Sequence, residues 1–233
     1  MQQVAQRPRT RIALGVAALL IIAFAAVIFY IFGGNGAKSS SGPVAAPTLA
    51  PSGGSGTVFT IDASASRATF SIDEVLFGQP NTVVGQTSAV AGQIRVDSAD
   101  PSKSQVGQIK IDLSALTTDN DLRTRTLQNR ILETGDPSNQ FATFTPKTVT
   151  GLPAGVAIGQ AVPLTITGDL TIHGATRTVT FNATVTLVSA TQLKGQATAT
   201  VKYADFGLAI PDVPSVTGVG DTVKLTLSFT AKA

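Results

Sequence analysis

An alternation of apolar and polar residues runs through most of the chain after residue 56, and it constrains the fold more than any other feature. Alternation with a period of two is typical of β-strands that bury one face and expose the other. In the clearest case, Val179, Phe181 and Ala183 alternate with threonine and asparagine. Similar patterns cover residues 57–62, 67–73, 86–97, 108–113, 141–149, 164–172, 178–187, 193–201 and 223–229. The sequence predicts an all-β antiparallel barrel or sandwich.

Two segments interrupt the alternation. In residues 119–132, Leu122, Leu127 and Ile131 lie close to one face of a helix, and the Asp and Asn residues at 119–121 are N-cap candidates. We expect a short helix there, covering one end of the sheet. The segment 203–221 contains several proline and glycine residues and predicts a long loop.

Several small residues are in phase with the large aliphatic residues of their strands and therefore belong to the face expected to point inward. They are Gly168, Ala183, Gly195, Ala197 and Ala199. An eight-stranded barrel has an interior that side chains fill or that holds one small ligand. Small inward residues therefore favour a ligand cavity, but they also suit a closely packed sandwich. The pattern alone leaves both alternatives open.

The N-terminal part of the chain predicts a membrane anchor. Residues 12–32 contain no charge and are long enough to cross a bilayer as a helix. Three arginines in residues 1–11 place the N-terminus in the cytoplasm, and residues 33–56, rich in Gly, Ser and Pro, predict a flexible tether. Residues 57–233 then form an extracytoplasmic domain. Cleavage at the small residues 33–37 that follow the anchor is the alternative.

Composition excludes several classes of function. The chain has no cysteine and one histidine, which disfavours zinc and thiol chemistry. Lys and Arg balance the acidic residues beyond the anchor, so no basic surface for nucleic acid is expected. There is no nucleophile elbow of the Gly-x-Ser-x-Gly type. We therefore expect neither an enzyme nor a metal centre.

The decapeptide 168–177, GDLTIHGATR, resembles the signature of the YceI-like lipid- and polyisoprenoid-binding family. Residues 118–120, 205–207 and 219–221 resemble further family motifs in the same order. The resemblance implies a lipocalin-like, eight-stranded antiparallel barrel with a long apolar pocket for an isoprenoid chain, in an exported protein. The family's usual sequences are replaced at residues 74–78 and 123–127, so the head group of the ligand stays open.

The resemblance also suggests which residues contact a ligand. The candidates for the apolar lining are Phe70, Ile72, Leu76, Phe77, Ile166, Leu170, Phe181, Phe206 and Leu208. Those for the polar end are His173, Arg177 and Arg123, because arginine and histidine donate hydrogen bonds to a phosphate or a quinone carbonyl. The alternative is structural: the apolar residues form core, His173 and Gly174 form a turn, Arg177 pairs with Asp169, and Asp205 caps a turn.

The leading hypothesis is a membrane-tethered carrier or store for an isoprenoid lipid, either a polyprenyl phosphate or an isoprenoid quinone, with no other cofactor. One alternative is a cell-envelope stress or protein-interaction module with a filled barrel. Another is a partner that presents a quinone to a membrane oxidoreductase. The sequence does not fix the oligomeric state.

Overall fold

The computed structural model describes residues 44–45, 47–49, 56–212 and 216–233. The predicted basic segment 1–11, the predicted anchor 12–32 and most of the predicted tether 33–56 lie outside the described residues. Among the described residues, no helix has the length and apolar character needed to cross a bilayer. One part of the tether contacts the sheet: the Leu49 backbone N–H donates a hydrogen bond to Gln93 Oε1 at 2.9 Å.

The described chain is dominated by β-structure. Its strands are β1 (Thr57–Ile61), β2 (Arg67–Leu76), β3 (Gln79–Thr87), β4 (Val90–Ala91), β5 (Gln93–Val96), β6 (Gln105–Val106), β7 (Ile109–Asp112), β8 (Thr117–Thr118), β9 (Phe141–Thr150), β10 (Ala161–Ile172), β11 (Ala175–Ser189), β12 (Gln192–Lys202), β13 (Val216–Thr217) and β14 (Thr222–Lys232). The α-helix α1 (Asp121–Thr126) continues into a π-helical turn, Leu127–Ile131. Single 3₁₀ turns occupy Ala63–Ala65, Pro101–Lys103 and Tyr203–Phe206.

All fourteen described strands belong to one antiparallel sheet. Its main path runs β4-β7-β9-β10-β11-β12-β14-β1-β5-β6, and β2 joins it through β14, with β3 and β13 beside β2 and β8 beside β3. The sheet is curled into a half-barrel. The predicted all-β antiparallel architecture with a short helix is confirmed, and several of the strands are only short pieces. The expected strand 86–97 is divided among β3, β4 and β5, with a turn hydrogen bond from Val90 N to Ser88 O at 2.8 Å.

Strand β14 pairs with three neighbours. Along its whole length it pairs with β12. On its other side, residues 224–228 pair with β2, and residues 231–232 pair with β1. The final strand therefore joins the two branches of the curled sheet.

Three apolar clusters form the core. The first consists of Phe59, Ile61, Ala68, Val90, Ile94, Ile109, Leu187, Leu193, Phe229 and Ala231. The second cluster, with Leu113, Leu116, Leu132 and Ala142, lies against Leu127 of the π-helical turn. The third consists of Leu170, Val179, Ala199 and Phe206. The helical segment thus covers part of the sheet, as the sequence predicts.

Aromatic rings of other residues pack over two inward glycines, so these glycines leave no empty space. A Cβ atom on Gly195 would lie 2.7 Å from the Phe229 ring, and one on Gly168 would lie 2.9 Å from Phe144 Cζ. The expected free volume at these positions is therefore taken by phenylalanine. Ala199 also packs in the third cluster, which leaves Ala183 and Ala197 as the small inward residues outside all three clusters.

An ion pair joins the chain after β1 to the end of β14. Lys232 Nζ lies 2.6 Å from Asp62 Oδ2, and the Ser64 hydroxyl donates to Asp62 Oδ1 at 2.5 Å. The Lys232 hydrogen bond, with help from Ser64, lowers the pKa of Asp62 to about 2. Because an unfolded aspartate titrates near a pKa of about 3.9, ionised Asp62 stabilises the fold above that pH, and the stabilisation is lost as the pH falls toward 2.

Replacing Asp62 with asparagine is accordingly expected to flatten the acid side of the stability profile. Between pH 5 and pH 2, the full chain should lose more free energy of unfolding than its Asp62→Asn variant. Urea denaturation at both pH values measures the difference. The other carboxylates with lowered pKa values, Asp100, Asp136 and Asp169, are common to both proteins and cancel in the comparison. Equal losses in the two proteins would contradict this role of Asp62.

Candidate functional site: the inward face of the curled sheet

A row of mostly small residues crosses the middle of the inward face. By strand register, Leu164 lies opposite Ala183, Ala183 opposite Ala197, Ala197 opposite Leu227, and Leu227 opposite Ala68. We call these five residues the alanine row. Three of the five project no more than a methyl group. The middle of the inward face therefore carries little side-chain volume.

Bulkier residues stand on both sides of the alanine row. On one side, Val185 and Phe229 belong to or pack against the first cluster. On the other side, Phe181 and Leu225 pack against the third cluster. Several apolar residues of the inward face stay only half-buried, namely Phe70, Phe144, Phe181, Val201, Leu225 and Leu227. A fully packed interior would bury such residues completely. The inward face thus offers accessible apolar surface around a central strip of low volume.

Aromatic packing sets the shape of this surface. The rings of Phe144 and Phe181 have centroids 4.9 Å apart and an interplanar angle of 65°. Such edge-to-face contacts are favourable for aromatic pairs. The Phe144 ring also packs over Gly168 of the sheet, and this contact holds the ring pair in place.

Most of the apolar candidates lie on or near the inward face. Leu170 and Phe206 belong to the third cluster, where Phe206 is 1% exposed, and Phe181 and Leu208 pack against it. The remaining inward candidates are Phe70 and Leu76, which are partly buried, and Ile72 and Ile166, which are buried.

Phe77 is placed differently from the other candidates. It lies at the tip of the β2–β3 hairpin, where it is 80% exposed. Phe77, with a φ of 50°, and Gly78, with a φ of 78°, form the two-residue turn between the strands. Both positive φ angles are typical of the hairpin turn that matches strand twist. The ring therefore points away from the apolar surface that holds Phe70 and Ile72.

His173 and Gly174 form the turn of the β10–β11 hairpin, with φ angles of 50° and 73°. The His173 ring Nε2 lies 3.3 Å from Glu133 Oε2, so it contacts the segment after the π-helical turn. His173 and Gly174 thus form a turn, which is the structural role that the sequence also allows. The hairpin is tied to the helical segment that covers the sheet.

Arg177 is exposed, and its Nη1 donates to the Thr176 carbonyl at 2.8 Å. The expected pairing with Asp169 is not formed. Asp169 instead accepts from Thr178 at 3.2 Å and pairs with Lys147 at 2.7 Å, which lowers the pKa of its carboxyl. The two residues lie on opposite faces, because Arg177 is in register with inward Leu170.

Asp205 also differs from its expected role. It lies in the 3₁₀ turn Tyr203–Phe206, whose N-cap residue is Lys202 and has no side-chain capping hydrogen bond. The turn ends at Gly207 with a φ of 70°, a conformation that glycine adopts without steric cost. The geometry of this turn therefore comes from glycine rather than from an aspartate cap.

Arg123 takes part in a polar cluster at the helix-covered part of the inward face. Its Nη1 donates to Asp119 Oδ1 at 2.6 Å, and its Nη2 donates to Glu74 Oε1 at 3.4 Å. Asn81 Nδ2 also donates to Glu74 Oε1, at 2.8 Å. The side chain of Asn120 caps α1 by accepting from two backbone N–H groups, which fixes the first turn and with it Arg123.

Glu74 is the buried acidic residue of this cluster, and it is not among the candidates predicted from the sequence. It is in phase with Ala68, Phe70 and Ile72 along β2, and its side chain is only 8% exposed. The alternation along the strand could have identified it as an inward charge. Arg123, Arg177 and His173 have separate partners, so the structure does not bring the three polar candidates together.

The outward face offers a different kind of surface. A shallow depression of about 370 Å³ lies there, lined mainly by Thr165, Asn182, Thr184, Gln196 and Thr198. These uncharged polar groups suit water better than an alkyl chain. Among the described residues, no group of three or more His, Asp or Glu side chains is arranged to hold a metal ion.

The sequence model of the YceI-like domain matches residues 59–231. The chain belongs to the YceI-like family. The match covers every strand from β2 to β13 and parts of β1 and β14, so the curled sheet is the family domain.

Two solved structures share the fold of this YceI-like chain. A polyisoprenoid-binding domain from Saccharophagus degradans, implicated in plant cell wall breakdown, is 22% identical, with a TM-score of 0.59 over 75% of this chain and 98% of that one. Burkholderia cenocepacia BcnA is 21% identical, with a TM-score of 0.56 over 74% and 99% of the two chains. A comparison with curated proteins found no match.

Proposed function

We propose that this protein is a membrane-tethered, extracytoplasmic binding protein that holds an isoprenoid lipid on the inward face of its curled sheet. The lipid is a polyprenyl phosphate or an isoprenoid quinone, kept for transport or storage, and the protein acts by binding rather than by catalysis. The observation that carries the proposal is the alanine row, a strip of low volume between half-buried apolar side chains.

The chemistry of an isoprenoid chain fits that strip. Each CH₂ group removed from water contributes about 0.8 kcal/mol, so a long prenyl tail gains binding free energy from apolar contact alone. Phe70, Phe181 and Leu225 offer such contact beside the row. The proposal is further supported by the family's YceI-like domain and by the polyisoprenoid-binding relative.

The uncharged segment 12–32 supports the membrane tether in this proposal. A helix of that length spans the hydrocarbon core. The tether would keep the binding domain close to the bilayer from which a nearly insoluble lipid is drawn.

The full chain, isolated from its own membranes, is expected to carry an isoprenoid lipid. Membranes are washed with alkaline carbonate, the retained chain is solubilised in mild detergent, and native mass spectrometry is followed by lipid extraction. Retention in the washed membranes supports the anchor, and a bound isoprenoid supports the ligand. Release by carbonate would overturn the anchor. A chain whose mass equals that of the bare polypeptide, with no isoprenoid in the extract, would overturn the binding function.

A further inference from the structure

A carboxylate oxygen on the inward face has no hydrogen-bond partner among the described residues. Glu74 accepts two hydrogen bonds, from Asn81 and Arg123, and both end on Oε1. Within the described residues, Oε2 accepts none, yet no fully buried side-chain nitrogen or oxygen there lacks a partner. It follows that Oε2 borders accessible space although the Glu74 side chain is more than nine-tenths buried.

The charge around this oxygen is negative. The guanidinium of Arg123 is shared between Asp119 at 2.6 Å and Glu74 at 3.4 Å, so one cation faces two carboxylates. A phosphate group at this position would find the Arg123 guanidinium already paired with Asp119 and Glu74. It would also lie near the negatively charged Oε2 of Glu74. Like charges at short range in a partly desolvated site disfavour binding strongly.

The hydrogen-bonding capacity of the oxygen is equally restrictive. An ionised carboxylate only accepts hydrogen bonds, so a ligand must bring a donor to Oε2. A hydroxyl group provides one, whereas an ether or an ester oxygen does not. Hydrogen bonds to charged acceptors are stronger than neutral ones.

We propose that Glu74 selects the head group of the bound lipid, accepting a hydrogen bond from a prenyl alcohol or phenol and excluding a prenyl phosphate. This inference rests on the proposed function and narrows its two classes of ligand: the phosphate is excluded, and the isoprenoid quinone is admitted only as the reduced quinol, a phenol, because the oxygens of the quinone itself only accept hydrogen bonds. Glu74 reaches this position because it follows the inward residues Phe70 and Ile72 on β2, so the apolar surface for the tail leads to the carboxylate.

The test measures binding of three probes to the full chain in detergent: geranylgeraniol, its methyl ether and geranylgeranyl monophosphate. The wild-type chain should bind the alcohol at least about tenfold more tightly than the ether or the phosphate. Glu74→Gln removes the charge and keeps the size of the side chain. It should raise the affinity for the phosphate at least about tenfold and lower the preference for the alcohol over the ether.

Asp73→Asn is the matched control. Asp73 directly precedes Glu74 on β2, but it is exposed on the outward face, where its side chain accepts a hydrogen bond from Thr82. The control makes the same change in net charge and should leave all three affinities unchanged. An equal effect of both variants would overturn the assignment, because it would reflect net charge rather than the site.

The probes separate failure of this inference from failure of the proposed function. If none of the three probes binds the wild-type chain, the lipid-binding function itself fails. If the alcohol and the phosphate bind the wild-type chain equally well, binding stands and the role of Glu74 is overturned. This wild-type comparison decides the matter even when Glu74→Gln does not fold.

Discussion

The Ala197→Phe variant of the full chain is expected to keep its fold and to lose at least about tenfold in affinity for a prenyl alcohol. Ala197 lies at the centre of the alanine row, between Ala183 and Leu227. A phenyl ring there would occupy the strip that the lipid tail needs. Isothermal titration calorimetry with geranylgeraniol and urea denaturation of the same samples measure binding and stability together.

This variant also distinguishes the two interiors that small inward residues allow. A packed interior cannot accept a phenyl ring without strain, and overpacking would cost about 1–3 kcal/mol of unfolding free energy. An open strip accepts the ring at little cost while binding is lost. Thr200→Phe is the control, because Thr200 is exposed on the outward face of the same strand. Unchanged binding by Ala197→Phe would contradict the position of the site.

The Gly168→Val variant is expected to lower the free energy of unfolding by about 3 kcal/mol. A Cβ atom on Gly168 would lie 2.8 Å from Pro146 Cα and 2.9 Å from Phe144 Cζ, and would also meet the Thr145 carbonyl oxygen. The backbone atoms cannot move aside independently, since β9 and β10 are paired on both sides of a bulge at this position. The strain therefore spreads into the sheet.

Urea denaturation of the full chain measures this loss. Gly155→Val serves as the control, because a Cβ atom on Gly155 would meet no atom within 4 Å. A substitution at such an open position usually changes stability by less than about 0.5 kcal/mol. A Gly168→Val variant as stable as the control would show that the sheet tolerates a side chain where Phe144 now packs.

The strand pattern could be predicted from the sequence because burial of one face imposes a period of two. Residues 164–172 and 178–187, for instance, lie in β10 and β11 as the alternation predicts. The order in which the strands pair within the curled sheet could not be predicted in the same way. It depends on which backbone groups meet across strands, and the short strands β4, β6, β8 and β13 have too few residues to show a period.

Where each candidate residue lies could be predicted in part, from its phase in the alternation along a strand. Phe70 and Ile72 are in phase along β2 and lie inward, whereas Phe77 is the first residue of the turn and its apolar character does not reveal its direction. Glu74 was missed because a charged residue is not expected among inward positions. The signal for it in the sequence is its phase with Phe70 and Ile72 along β2.

The three-way pairing of β14 has a consequence for how the chain folds. Until this last strand is synthesised, β12, β1 and β2 all present unpaired hydrogen-bonding edges, and such edges invite association with other chains. Strand β2 pairs on one side with β3, which follows it directly, but its other edge pairs with a strand more than 150 residues further along the chain. Contacts between residues so distant in sequence form slowly, so we expect completion of the sheet to be a late step in folding.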